Sequence, residues 1–132
     1  VILAVSDTHA LIWYVEADPR LSPAAKAIFD AASAAGDLVA VSSISLVEMV
    51  YLGEKGRINP ATLALILDFF NLKEVLFEVP VDRSILPALA RIDRAAIPDM
   101  PDRIIAATAV HLGVPLISRD GKIRASTVQT IW

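Results

Sequence analysis

No cysteine occurs among the 132 residues. Disulfides and thiolate metal sites are therefore excluded, and a cytoplasmic setting is the expectation. No apolar run is long enough to cross a bilayer. The longest, near Ile104 to Ile117, contains His111 and breaks at Gly113 and Pro115, whereas a spanning helix needs about 20 apolar residues. The opening VILAVSD lacks a basic leader and a small-residue cleavage pattern, so it reads as a strand and not as an export signal. Internal repeats, low-complexity segments and long charge runs are also missing. With a net charge of −3, the chain is a poor candidate for holding nucleic acid by bulk charge, and only local basic patches remain for that role.

What the chain has is apolar text, at 55% of residues. The length suits a single domain over residues 1–132 with a sizeable core. VILAVS and LVAVS are short β-branched runs without alternation, the pattern of strands buried on both faces. VLFEVPV, PLIS and VQTIW read as further strands. Helical text lies between them: from about Thr8; from Pro23 with Ser22 as N-cap; SISLVEMVYLG, closed by Gly53; PATLALILDFFN, opened by Asn59; SILPALARI; and PDRIIAATAVHLG, opened by Pro101 and closed by Gly113. Strands alternating with helices predict an α/β fold, a three-layer α/β/α sandwich on a parallel sheet of four to five strands. Its crossovers are right-handed, so every strand ends at one edge, where open α/β sheets bind ligands.

Four acids fall at that edge. Asp7 directly follows VILAVS, and Asp120 stands just past PLIS. Glu48 lies about one turn into the helix after LVAVS, and Asp102 lies in the first turn of its helix. Each has a local explanation. Asp7 suits an N-cap, Ser45 to Glu48 fits a capping box, Asp102 suits the helix dipole, and Asp120-Gly121 is turn chemistry. Asp99 is best read as part of the helix start. Four acids on one rim, however, repel one another and raise each other's pKa. A hard divalent cation explains their gathering, since Mg²⁺ takes carboxylate and water oxygens and promotes phosphoryl chemistry.

The segments DTHALIW, VSSISLVEM, DMPDRIIAATA and LISRD resemble, in order and spacing, the four acidic motifs of PIN-domain nucleases. The resemblance runs from Asp7 to Asp120 and is strongest to the VapC toxins of toxin–antitoxin systems; ADPRLSPAAKAIFDAA is similar to that branch as well. It implies a metal-dependent endoribonuclease using Mg²⁺ or Mn²⁺, a homodimer, an RNA substrate and a small cognate antitoxin that holds the toxin inactive. By position, Asp7, Glu48, Asp102 and Asp120 match the acidic quartet as catalytic residues and metal ligands. Ser118 and Arg103 match supporting positions, while Ser6 departs from a usually hydrophobic one.

Other residues have subsidiary readings. His9 and His111 are expected to be structural, with His9 the nearer to the site. Lys55 with Arg57, and Arg119 with Lys122 and Arg124, form two small basic clusters. Trp13 and Tyr14 are expected in packing, and PATLALILDFFN carries apolar side chains on several faces, suited to a dimer or an antitoxin helix. The alternatives are a receiver-like Mg²⁺-binding regulatory module or a catalytically inactive PIN-like domain. A receiver needs an acid pair after the first strand and a phosphoacceptor Asp after a middle strand, and neither is present. A phosphatase with a nucleophilic Asp is disfavoured by His9 at the position of its usual second Asp.

Overall fold

β1 (Ile2–Ser6) is the central strand of a fully parallel sheet in a computed structural model that describes residues 1–132. Around it lie β2 (Leu38–Ser42), β3 (Leu76–Val79), β4 (Leu116–Ile117) and β5 (Thr130–Ile131), in the order β3-β2-β1-β4-β5. Every neighbouring pair is parallel, as the run of both-faces-buried strands requires. The helices are α1 (Thr8–Val15), α2 (Pro23–Ala35), α3 (Ser43–Glu54), α4 (Pro60–Asn71), α5 (Leu86–Arg91), α6 (Met100–Leu112) and α7 (Gly121–Ala125).

Successive residues of β1 feed different layers. Ala4 packs with Leu11, Phe29, Met49 and Ile66 from the first four helices. Val5 packs on the other face with Ile105, Ala109 and Ile123. Both are fully buried. Burying a Leu, Ile or Phe side chain contributes roughly 1.5–3 kcal/mol, so these two clusters dominate the favourable side of folding. The fold is thus the three-layer α/β/α arrangement expected, with five strands.

Local chemistry sets the helix ends. Ser22 caps α2 by accepting from Ala25 N, and Asn59 caps α4 by accepting from Ala61 N. Gly113 ends α6 with φ of 68°, a left-handed conformation that costs little only without a Cβ.

Several local expectations need correcting. Gly53 does not close α3, which runs on to Glu54. The Ser45–Glu48 capping box does not form: Ser42 is the cap, and Ser45 lies buried inside the helix. The start of SILPALARI is a 3-10 turn, Arg83–Ile85. Asp120-Gly121 opens a short helix, α7, and not a simple turn. His111 is exposed in the last turn of α6, so it has no structural role in the core.

The topology places the site. From β1 the chain moves outward through β2 to β3, then returns past β1 to β4 and β5 on the other side. The direction of strand order reverses between β1 and β4, which leaves a crevice there. Register extends the pairing to the edge: Ser6 lies opposite both Val41 and Ile117, and Asp7 N donates to Ile117 O at 3.0 Å. Apolar side chains remain exposed on two of the helices. Val50 and Tyr51 of α3 and Leu65 and Leu67 of α4 are exposed, matching the several-sided apolar pattern of PATLALILDFFN. No helix is long and apolar enough to cross a membrane.

Candidate active site

Asp7 leaves β1 at the crevice and N-caps α1, its Oδ1 accepting from Ala10 N at 2.8 Å. Across the crevice, β4 delivers Ser118, which is fully buried. The Ser118 hydroxyl accepts from Asp120 N at 3.1 Å and favours the charged form of the Asp7 carboxyl. Asp120 in turn N-caps α7, with Oδ1 accepting from Lys122 N and Ile123 N at 3.0 Å each. Two acids from opposite ends of the chain are thereby fixed beside the same switch point.

The other two come from helices that begin at this edge. Glu48 Oε1 lies 2.6 Å from Thr8 Oγ1, which also meets Ser45 Oγ at 3.0 Å. Thr8 therefore ties the helix after β1 to the helix after β2, and orients Glu48. On α6, Asp99 is the N-cap and accepts from Asp102 N at 3.1 Å. The capping role thus belongs to Asp99, and the Asp102 carboxylate is left to face the crevice.

Together Asp7, Glu48, Asp99, Asp102 and Asp120 line one open cleft of about 420 Å³, with Thr8, His9, Trp13 and Arg119 completing its wall. The electrostatic consequences follow from crowding and burial. Burial pushes the Asp7 carboxyl up, opposed by its bonds to Ser118 and Ala10. Burial also raises Glu48, opposed by Thr8 and reinforced by Asp99. Asp102 is pushed up to about 7, first by burial and then by the charges of Asp99, Asp120, Glu48 and Asp7. Protonation of Asp102 relieves this crowding only in part, and a bound cation would relieve more of it.

The donor set suits a hard cation. It consists of carboxylate oxygens, with His9 the one imidazole on the wall, and such oxygen-rich sites favour Mg²⁺ or Mn²⁺ over softer ions. No three of these side chains are already drawn onto one point. Asp7, Glu48 and Asp120 are each engaged by local hydrogen bonds to Ala10, Thr8 and the start of α7 along the cleft walls.

Sequence-based candidates divide accordingly. All four acids of the quartet meet at the cleft, and Ser118 supports Asp7. Arg103 does not join them. Its guanidinium donates to Leu89 O at 3.0 Å and to Ile92 O at 2.8 Å, so it clamps α6 onto the end of α5 and its expected place in the site is corrected. Asp99 and His9 both reach the cleft. Thr8 was not singled out from the sequence, although a hydroxyl directly after the first acid is the available signal.

These features define a class: a parallel α/β/α domain with a carboxylate cleft at the switch point of its sheet. Within that class the chain belongs to the PIN domain family, whose profile matches residues 4–126. It is similar to Ribonuclease VapC22 of Mycobacterium tuberculosis, with 29% identity over 119 residues, 90% of this chain and 88% of that protein. Its fold is similar to those in two solved structures. One is VapBC2 from Rickettsia felis bound to a promoter DNA fragment, with TM-score 0.72, 13% identity, and 98% of this chain and 97% of that chain covered. The other is FitAcB from Neisseria gonorrhoeae, with TM-score 0.59, 19% identity, and 97% and 96% covered.

Proposed function

We propose that this chain is a divalent-metal-dependent endoribonuclease, the toxin of a toxin–antitoxin pair, and that Asp7, Glu48, Asp102 and Asp120 are its catalytic metal ligands. The observation that carries this reading is the meeting of four acids from four separate segments on one cleft at the sheet's carboxyl edge. The ribonuclease name of the relative and the toxin–antitoxin complexes among the fold's neighbours support it.

The four carboxylates would hold Mg²⁺ or Mn²⁺, which when bound supplies an acidified water and stabilises negative charge on the phosphoryl group. The chain's own residues prepare the site. Ala10 N–H fixes Asp7, Ser118 favours its charged form, and Thr8 fixes Glu48. Asp99 satisfies the start of α6, which frees Asp102 for the cleft. The Asp102 carboxyl, protonated part of the time near neutrality, gives up its proton when positive charge enters the cleft. No cysteine or lysine nucleophile is required.

Protein freed of contaminating ribonuclease is expected to cleave single-stranded RNA in Mg²⁺ or Mn²⁺ and to stop when excess chelator is added. Cleavage that continues in chelator overturns the metal dependence.

A partner follows from the same charge imbalance. A small antitoxin that places an Arg or Lys among the carboxylates neutralises the cleft and excludes metal and RNA. Co-expression with a small protein encoded beside this chain is expected to yield a co-purifying complex without nuclease activity. Separate elution of the two proteins contradicts that expectation.

A further inference from the structure

RNA brings a line of negative charge to a cleft walled by five carboxylates. A metal cancels that repulsion at its centre, while the flanking phosphates still need a cation at the rim. Arg119 is the only Lys or Arg on the cleft wall. Its position follows from local sequence: Ser118 points into the core beside Asp7, Asp120 turns in to cap α7, and the residue between them is exposed.

The guanidinium is nevertheless held in place. Its central carbon lies 4.3 Å from the centroid of the Trp13 ring. Trp13 itself is buried and immobilised, edge-on to Trp132 at 5.9 Å and tilted against His9 at 5.7 Å. Arg20 also lies over Trp13, at 4.9 Å, but is committed to Asp18 through a 2.7 Å ion pair. Arg119 takes part in none of the molecule's three ion pairs or its side-chain hydrogen bonds, although acids surround it. It is a planar five-donor fork, seated over an indole and unspent, at the edge of the site.

We propose that Arg119, stacked on Trp13 at the rim of the acidic cleft, grips a backbone phosphate of single-stranded RNA next to the one being cleaved. This rests on the nuclease reading above. An arginine fork matches two phosphate oxygens, and the contact with Trp13 restricts where the guanidinium sits beforehand, so less freedom is lost on binding. Phosphate contacts position a strand without reading its bases. Arg119 therefore sets where the backbone lies over the carboxylates and leaves sequence choice to other residues. Trp13 is too buried to stack on a base, so its role is to carry the arginine.

The test uses the full chain with two variants. Arg119→Met keeps an unbranched stem over Trp13 and removes the charge; Arg119→Lys keeps the charge and removes the fork. Steady-state cleavage of several short single-stranded RNAs is measured in Mg²⁺ across a range of KCl. Binding of the same RNAs is followed by fluorescence anisotropy in Ca²⁺, which offers the carboxylates a hard cation with looser geometry. Arg119→Met is expected to raise KM and weaken binding about tenfold, as befits one charge-assisted contact, equally for every RNA sequence, with kcat changed less than about threefold. The slope of log affinity against log salt should flatten by about 0.7, the contribution of one phosphate contact on a single strand. Arg119→Lys should keep most of that slope and recover only part of the affinity.

Unchanged KM, binding and salt slope in Arg119→Met overturn the proposal, as does a wild type that binds no RNA. A loss confined to one RNA sequence also overturns it, in favour of base recognition. If the wild type binds RNA through Arg119 without cleaving it in Mg²⁺ or Mn²⁺, the nuclease reading fails and the phosphate contact stands.

Discussion

Asp7→Asn is expected to lower RNA cleavage by about a thousandfold or more at saturating Mg²⁺, while the protein stays folded. The size of the loss follows from what a metal ligand does. Lewis-acid stabilisation of a phosphoryl transition state is worth several kcal/mol, and each 1.36 kcal/mol is about tenfold in rate. The choice of Asn isolates that effect. Asp7 caps α1 through Ala10 N, and Asn is an equally good cap. Burial already disfavours the charge on Asp7, so a neutral side chain of the same shape is tolerated. Single-turnover cleavage, with circular dichroism as the check on folding, measures it. Full activity in folded Asp7→Asn protein contradicts the assigned role.

The second large effect concerns stability without metal. The Asp102 carboxyl is raised to about 7 in the folded protein from an ordinary 3.8. Below about pH 4 it is protonated in both folded and unfolded chains, and the shift has no consequence. As pH rises from about 4 to 7, the unfolded chain releases this proton and the folded chain retains it. Deprotonation then favours unfolding, and the full cost is reached above pH 7. Asp102 is half-exposed, so solvent screening reduces the cost to roughly 1–2 kcal/mol. In chelator the wild type should therefore lose stability between pH 5 and pH 8. Asp102→Asn should be more stable than the wild type at pH 8, by roughly 0.5–2 kcal/mol, and should lack that part of the pH dependence. A helix-start role predicts the reverse sign, a loss of a few tenths of a kcal/mol from the dipole. Since Asp99 supplies the cap hydrogen bond, the dipole is all that Asp102 has to lose.

Much of this was legible in the sequence because it is governed by local rules. Short β-branched strands, the Ser22-Pro23 and Asn59-Pro60 helix starts and the Gly113 stop all act within a few residues. The convergence of Asp7, Glu48, Asp102 and Asp120 was legible for a different reason: parallel strands share one carboxyl edge, whatever the loop details. The misreadings arose where distant contacts override local patterns. The local alternative for Glu48, a capping box within its own segment, gives way to Thr8, which reaches it from the helix after β1. Arg103 adjoins a site acid in sequence, yet the carbonyls at the end of α5 turn its side chain away. Arg119 appeared only as one member of a basic cluster. Its stacking partner lies more than a hundred residues earlier, and no pattern in the chain couples it to Trp13.

If the carboxylates are gathered for a cation, metal must bind the folded chain and stabilise it. Thermal melts of the wild type at pH 8, in chelator and in increasing Mg²⁺, measure this without reference to RNA. Mg²⁺ at tenfold its dissociation constant should add about 1.4 kcal/mol, a rise of about 3–5 °C in Tm for a domain of this size, and the rise should shrink in Asp102→Asn. A wild type whose Tm is the same in chelator and in Mg²⁺, and higher than that of Asp102→Asn, would mean that these acids serve the helices and hold no metal.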